Sequence, residues 1–200
     1  MAAVGQRRKG VNGMTTFYKL YGYFGVLKKI GLVISAVVAL IMMFFITYDV
    51  VMRNVFSSSI RGGFEIIQNY MMPLVVFPGL AYVYASGVLP KMELLFAKFS
   101  PAVKRILILF LIAIEVFVLV LVVQFSWTYA MDGMERNTSF PAAGTLYQLW
   151  PVFFTIPAAF ALIVIENIFL FIKNLIEKDP TFVVEYNPSE EEQIINQAVK

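Results

Sequence analysis

Four stretches of the chain stay apolar for long enough to cross a lipid bilayer. An α-helix rises 1.5 Å per residue, so about 20 apolar residues cover a hydrocarbon core of roughly 30 Å. The first run, Ile30 to Tyr48, carries no charge, and its helix is expected to continue to Val55. The second lies between Glu65 and Lys91 and is expected to span 66–84. A third runs from Ile106 to Met131 with one charge, Glu115, and should start near position 102; the fourth covers 149–172 with one charge, Glu166. Pro73, Pro78 and Gly79 fall inside the second run. In a bundle, neighbouring groups can satisfy the carbonyls that proline frees, so a kink is expected there rather than a break. Gly79 and Ala81 offer a face for close helix packing. Pro151 suits the first turn of the fourth helix, where its missing N–H costs little.

The flanks suggest interfacial pieces. Thr15 to Lys29 mixes five aromatic rings with Lys19, Lys28 and Lys29, a combination that suits the headgroup layer. Met92, Leu95, Phe96 and Phe99 recur at helical spacing while Lys91, Glu93 and Lys98 fall on the other side, which predicts a short amphipathic surface helix between spans two and three. Ser100 and Pro101 read as the cap and first residue of the next helix. The division expected is an N-terminal segment 1–29, a four-helix membrane domain 30–173 and a polar, acidic tail 174–200, solvated and mobile. The basic opening Arg7-Arg8-Lys9 precedes no short apolar core closed by a cleavage site, so the first run is expected to be a mature helix.

Composition agrees with lipid as the main solvent. Apolar residues make up 60% of the chain and charged residues 14%, against about a quarter in soluble domains. The net charge of +3 matters less than its placement. Lys28, Lys29, Lys91, Lys98, Lys104 and Arg105 cluster at the ends expected to meet one leaflet, whereas the other two loops hold only Arg53, Arg61 and Arg136. The positive-inside rule then places both termini in the cytoplasm, giving an all-α integral membrane protein of four spans with lipid contacts at those basic residues.

Candidate chemistry is sparse. With no Cys and no His, thiolate and imidazole metal sites, haem ligation and His-based acid–base catalysis are excluded, and no hydrolase or phosphate-binding motif is present. The chain is expected to be no enzyme and to need no cofactor, metal or nucleic acid. Glu115 and Glu166 are the costly residues, since a lone carboxylate in hydrocarbon must be protonated, paired or turned to a polar cavity. Two readings stand: a proton or cation site in a small homo-oligomeric transporter or channel, and anchors that hydrogen-bond a neighbouring helix. The second is preferred because no His or Lys stands beside them within the apolar runs. A plain membrane anchor for an enzyme complex is a further alternative. Asp49 and Arg53, at i and i+4, are placed for an ion pair, and Glu65 for the first turn of the second helix, where it complements the helix dipole.

The residue order Asp49-Val-Val-Met-Arg53-Asn54-Val55-Phe56, a short polar loop and then Glu65 resembles the small membrane subunit of tripartite ATP-independent periplasmic (TRAP) transporters. Phe77-Pro78-Gly79-Leu80-Ala81, Lys91-Met92-Glu93-Leu94-Leu95 and Leu149-Trp150-Pro151 follow in the family's order. Two positions depart from it: Leu89-Pro90-Lys91 stands where a His or basic residue is frequent, and Phe64 where a second acid is frequent. The resemblance implies a bacterial inner-membrane scaffold beside a large multi-spanning, elevator-type transporter subunit in a sodium-coupled system for organic acids. A periplasmic substrate-binding protein would deliver the solute. Arg53, Arg61, Glu65, Asp132, Glu135 and Arg136, in the two outer loops, are the candidate contacts for that protein.

Overall fold

The computed structural model describes residues 2–86, 100–176 and 184, with side chains described for 19–86, 100, 103–175 and 184. Helix α1 (Ala2–Phe56) carries the first span. No proline occurs along it, so nothing removes a backbone donor until Ser57 turns into the left-handed region at φ 52°. The segment from Thr15 to Lys29 is therefore continuous with the span. In the short loop that follows, Asp49 Oδ1 accepts a hydrogen bond from the Ile60 N–H at 2.8 Å while Asp49 Oδ2 pairs with Arg53 at 2.8 Å. The i, i+4 pair read from the sequence thus also pins the loop.

The second span consists of α2 (Gly63–Ile66), a π turn (Ile67–Met71) and α3 (Met72–Ala85). Glu65 lies in the first turn, as expected. The irregularity expected around the prolines takes the form of the wide turn, in which the Met72 N–H bonds back to the Ile67 carbonyl. Pro73 follows directly; in a regular helix its ring would press on the carbonyl of Asn69, and the wider turn relieves that clash. Asn69 Nδ2 adds a bond to the Glu65 carbonyl at 2.8 Å.

Helix α4 (Pro101–Glu135) is the third span. Ser100 holds the extended conformation of an N-cap, but its carbonyl rather than its hydroxyl takes the helix bond, from Lys104 N at 2.9 Å. At the far end Asn137 turns left-handed (φ 48°), and the N–H groups of Asn137 and Thr138 bond the Met134 and Gly133 carbonyls. That is a Schellman stop. The fourth span is α5 (Trp150–Phe153) and α6 (Thr155–Ile176). Pro151 sits in the first turn, and Pro157 cannot bond the Phe153 carbonyl, so the helix steps at Phe154; the Thr155 hydroxyl meets the Val152 carbonyl at 2.6 Å.

Sequence patterning missed one element. The third loop folds as an antiparallel hairpin, β1 (Ser139–Ala142) with β2 (Thr145–Gln148), through a turn at Ala143 and Gly144 with both φ positive. Such a turn matches strand twist. Phe140 and Tyr147 face each other across it with rings 5.9 Å apart, and Tyr70 packs edge-on against Phe140 at 5.3 Å while donating its hydroxyl to the Gln148 carbonyl. Gly62 sits beneath the turn: its φ of 75° and the 2.5 Å from an ideal Cβ to the Ala143 nitrogen both exclude a side chain.

Among the described residues four helices are long and apolar enough to cross a membrane. α1 packs on α3, α3 on α6 and α6 on α4. The α1–α3 crossing depends on small residues, since a Cβ on Gly31 would lie 2.1 Å from the Pro78 carbonyl oxygen and one on Gly79 would lie 2.9 Å from Ser35 Oγ. Gly79 and Ala81 are buried there, as the sequence reading expected of a close-packing face. The expected surface helix at Lys91 to Phe99 and nearly all of the tail lie outside the described residues.

Candidate functional site

A helix embedded in hydrocarbon can afford a polar side chain only where another group answers it. α6 carries two such side chains in succession, Glu166 and Asn167, about 10 Å above Lys173 by the helical rise. Neighbouring positions on a helix point roughly 100° apart, so the pair reaches in two directions.

Glu166 turns to α1. Its Oε2 receives the Lys28 ammonium at 2.6 Å, and its Oε1 accepts the Tyr21 hydroxyl at 2.7 Å. Lys28 also donates to that hydroxyl at 3.0 Å, so the phenol relays between cation and carboxylate. The ammonium stands 4.4 Å from the Tyr21 ring centroid and 5.0 Å from that of Phe24. Phe169 closes the pocket, edge-on to Tyr21 and stacked on Phe24. With Lys28 4% and Glu166 2% exposed, the pair is sealed, and its attraction acts in a medium far less polarisable than water. Lys28 was expected in the headgroup layer with the other basic residues; it is instead drawn into the bundle, because a buried carboxylate offers it more than lipid phosphate at the surface. Lys29, one position on, points outward and is exposed.

Asn167 turns to α3 and is fully buried. Its amide lies 2.9 Å from the Tyr84 hydroxyl, which lies 2.6 Å from Glu115 Oε1 on α4. A phenol has one proton to give. The Tyr84 hydroxyl stands between two acceptors, Asn167 Oδ1 and Glu115 Oε1, and can donate to one of them at a time, while Asn167 Nδ2 is buried with no hydrogen-bond partner among the described residues. Polar groups thus tie α1 to α6, α6 to α3 and α3 to α4. Each transmembrane polar link contributes about 0.6 to 2 kcal/mol. Glu115→Gln keeps the acceptor for Tyr84 and is expected to leave thermal stability in detergent within experimental error. Glu115→Leu removes it and should lower stability by about 1 kcal/mol.

Below this level an apolar cluster of Tyr21, Ile108, Ile112, Leu170 and Val184 closes the end of the bundle. Arg105 donates to the Asn174 and Leu175 carbonyls at 3.1 and 2.6 Å, capping the negative end of α6. Lys173 donates to the Val184 carbonyl at 2.7 Å. Arg105, expected to touch lipid, is thus at least partly engaged within the protein; Lys104 is half-buried.

Residues 42–177 match the family described as tripartite ATP-independent periplasmic transporters, DctQ component. The chain belongs to that family. No curated protein and no solved structure matches it.

The DctQ match includes Tyr84, Glu115, Glu166 and Asn167 and begins after Tyr21 and Lys28. Of the candidate contacts, Arg53, Arg61, Asp132, Glu135 and Arg136 are exposed, and Glu65 is half-buried. All six sit at the end of the DctQ bundle that carries the hairpin. Asp132 and Glu135 belong to the last turn of α4 rather than to a loop, and Arg53 is held by Asp49. Lys91 and Lys98 lie outside the described residues. The partnership sequence reading missed is Tyr21–Lys28–Glu166. Its signal was present: Tyr21, Phe24 and Lys28 fall at i, i+3 and i+7 on one face of α1.

Proposed function

We propose that this chain is the non-translocating scaffold subunit of a sodium-coupled, binding-protein-dependent transporter for organic acids, seated in the inner membrane with both termini cytoplasmic. The observation that carries the reading is that the ionisable groups described inside the spans are spent on one another. Lys28 answers Glu166, and Glu115 answers Tyr84. A solute pathway needs polar groups that stay available to the solute; a scaffold needs them closed.

A tripartite system also contains a large membrane subunit and a soluble binding protein, and membership of the DctQ component family favours both as partners. The hairpin end, with Arg53, Arg61, Glu65, Asp132, Glu135 and Arg136, is the side on which the binding protein docks in this reading. The basic end, with Lys29, Lys104 and Arg105, faces the cytoplasm by the positive-inside rule.

The test is reconstitution. Liposomes holding this chain, the large subunit and the binding protein are expected to take up organic acid when a sodium gradient is imposed. Liposomes holding this chain alone should show no uptake and no ion leak above protein-free controls. Flux through the chain alone would overturn the scaffold reading and favour a self-sufficient transporter built on Glu115 and Glu166.

A further inference from the structure

Two helices end alike on the hairpin side. On α1, Tyr48 directly precedes Asp49; on α4, Trp127 and Tyr129 come shortly before Asp132. By the helical rise all three rings lie within about 8 Å of Asp49 or Asp132. All three are open at the surface, with Tyr48 58%, Trp127 54% and Tyr129 59% exposed. Their two hydroxyls and the indole N–H form no hydrogen bond among the described residues. The α4 pair is held from behind, Trp127 edge-on to Phe154 at 5.7 Å and Tyr129 against Phe153 at 4.8 Å. Each ring has an apolar body and a polar tip. Hydrocarbon answers only the body and bulk water only the tip; the headgroup layer answers both.

The order of rings along each helix indicates what covers them. Between Lys29 and Tyr48 on α1, and between Arg105 and Trp127 on α4, every aromatic residue is Phe. Of these, Phe44, Phe110, Phe117 and Phe125 are exposed. Rings with a polar atom thus occur at the outer end of both helices, and rings without one lie deeper. A protein partner would select ring types through its own pockets, one helix at a time. A lipid layer selects them by depth on every helix that meets it. The lengths agree: Lys29 to Tyr48 covers about 29 Å and Arg105 to Trp127 about 33 Å by the helical rise, against a hydrocarbon core of roughly 30 Å.

We propose that Tyr48, Trp127 and Tyr129 are a binding surface for phospholipid headgroups of the leaflet on the hairpin side. Their hydroxyls and indole N–H donate to ester carbonyl or phosphate oxygens, which fixes the height of α1 and α4 in the bilayer. The surface is the outer counterpart of the basic residues at the other end. It requires the four spans and is independent of the scaffold reading.

Trp127 and Trp150 are the two tryptophans of the chain, so Trp150→Phe leaves Trp127 as the sole reporter. In phosphatidylcholine proteoliposomes of the full chain, a nitroxide near the start of the acyl chain is expected to quench its emission about twofold more than one near the chain end, with little quenching by aqueous iodide. The chain has no Cys, so a nitroxide on Tyr48→Cys reports the depth of α1 with both tryptophans in place. It should lie within about 5 Å, one helical turn, of the Trp127 depth. Quenching dominated by iodide or by the deep nitroxide would overturn the proposal, and so would clearly different depths at the two positions. The same measurement with the large subunit present separates lipid from a protein partner. Lipid quenching of Trp127 is expected to persist, and its loss would assign the end of α4 to that subunit instead.

Discussion

Glu166→Leu is expected to abolish a stably folded bundle in detergent. The substitution leaves Lys28 charged, 4% exposed and surrounded by Tyr21, Phe24 and Phe169, with no carboxylate to answer it. Removing one member of a buried pair costs about 3–5 kcal/mol, because the remaining charge keeps its desolvation penalty and loses its compensation. Proteins commonly hold only about 5–15 kcal/mol in reserve, so that loss should appear as aggregation on size exclusion or a large drop in melting temperature. Glu166→Gln should fall between: it keeps an acceptor for Tyr21 but leaves the ammonium without a counter-charge. Replacing the whole group, Tyr21→Phe with Lys28→Met and Glu166→Leu, should recover most of the stability, since an apolar triad carries no desolvation penalty. The difference between single and combined variants isolates the coupling.

Gly31→Val carries the second large effect. Its Cβ would lie 2.1 Å from the Pro78 carbonyl oxygen, and the obstacle is backbone rather than a side chain that can turn aside. α1 and α3 must therefore separate at their crossing, which also opens the contact between Ser35 and Gly79. Overpacking of this kind costs about 1–3 kcal/mol, and a rigid obstacle puts Gly31 at the upper end. Gly25→Ala is the control on the same helix. Nothing lies within 4 Å of a Cβ there, so the added methyl should stabilise α1 by about 0.5–1 kcal/mol through backbone entropy. A melt in which both variants behave alike would contradict the close crossing.

The spans were legible because lipid imposes a simple rule on sequence. About 20 apolar residues in a row need no tertiary knowledge to be read, and Glu65 in a first turn, Pro151 in another, and Asp49 opposite Arg53 are consequences of local chain geometry. The π turn was half legible: Pro73 announced a disturbance, but whether a helix kinks, breaks or widens depends on which neighbours meet the freed groups. The hairpin was obscured by Pro141, which stands inside β1, and by Ala143 rather than Asn or Gly in the first left-handed turn position. Lys28 was misread for a deeper reason. A lysine beside aromatic rings near a membrane end has the same local sequence whether it meets headgroups or a carboxylate, and the partner lies 138 positions away. Only the packing of α1 on α6 separates the two.

The central claim is that the charges inside this membrane domain hold the bundle together and carry nothing across it. The most direct measurement is sodium-driven uptake by the full three-component system when this chain carries Tyr21→Phe, Lys28→Met and Glu166→Leu together. A folded, assembled variant should transport at close to the parent rate. Loss of uptake from a variant that still folds and still binds its large subunit would contradict the claim and return these residues to the transport pathway.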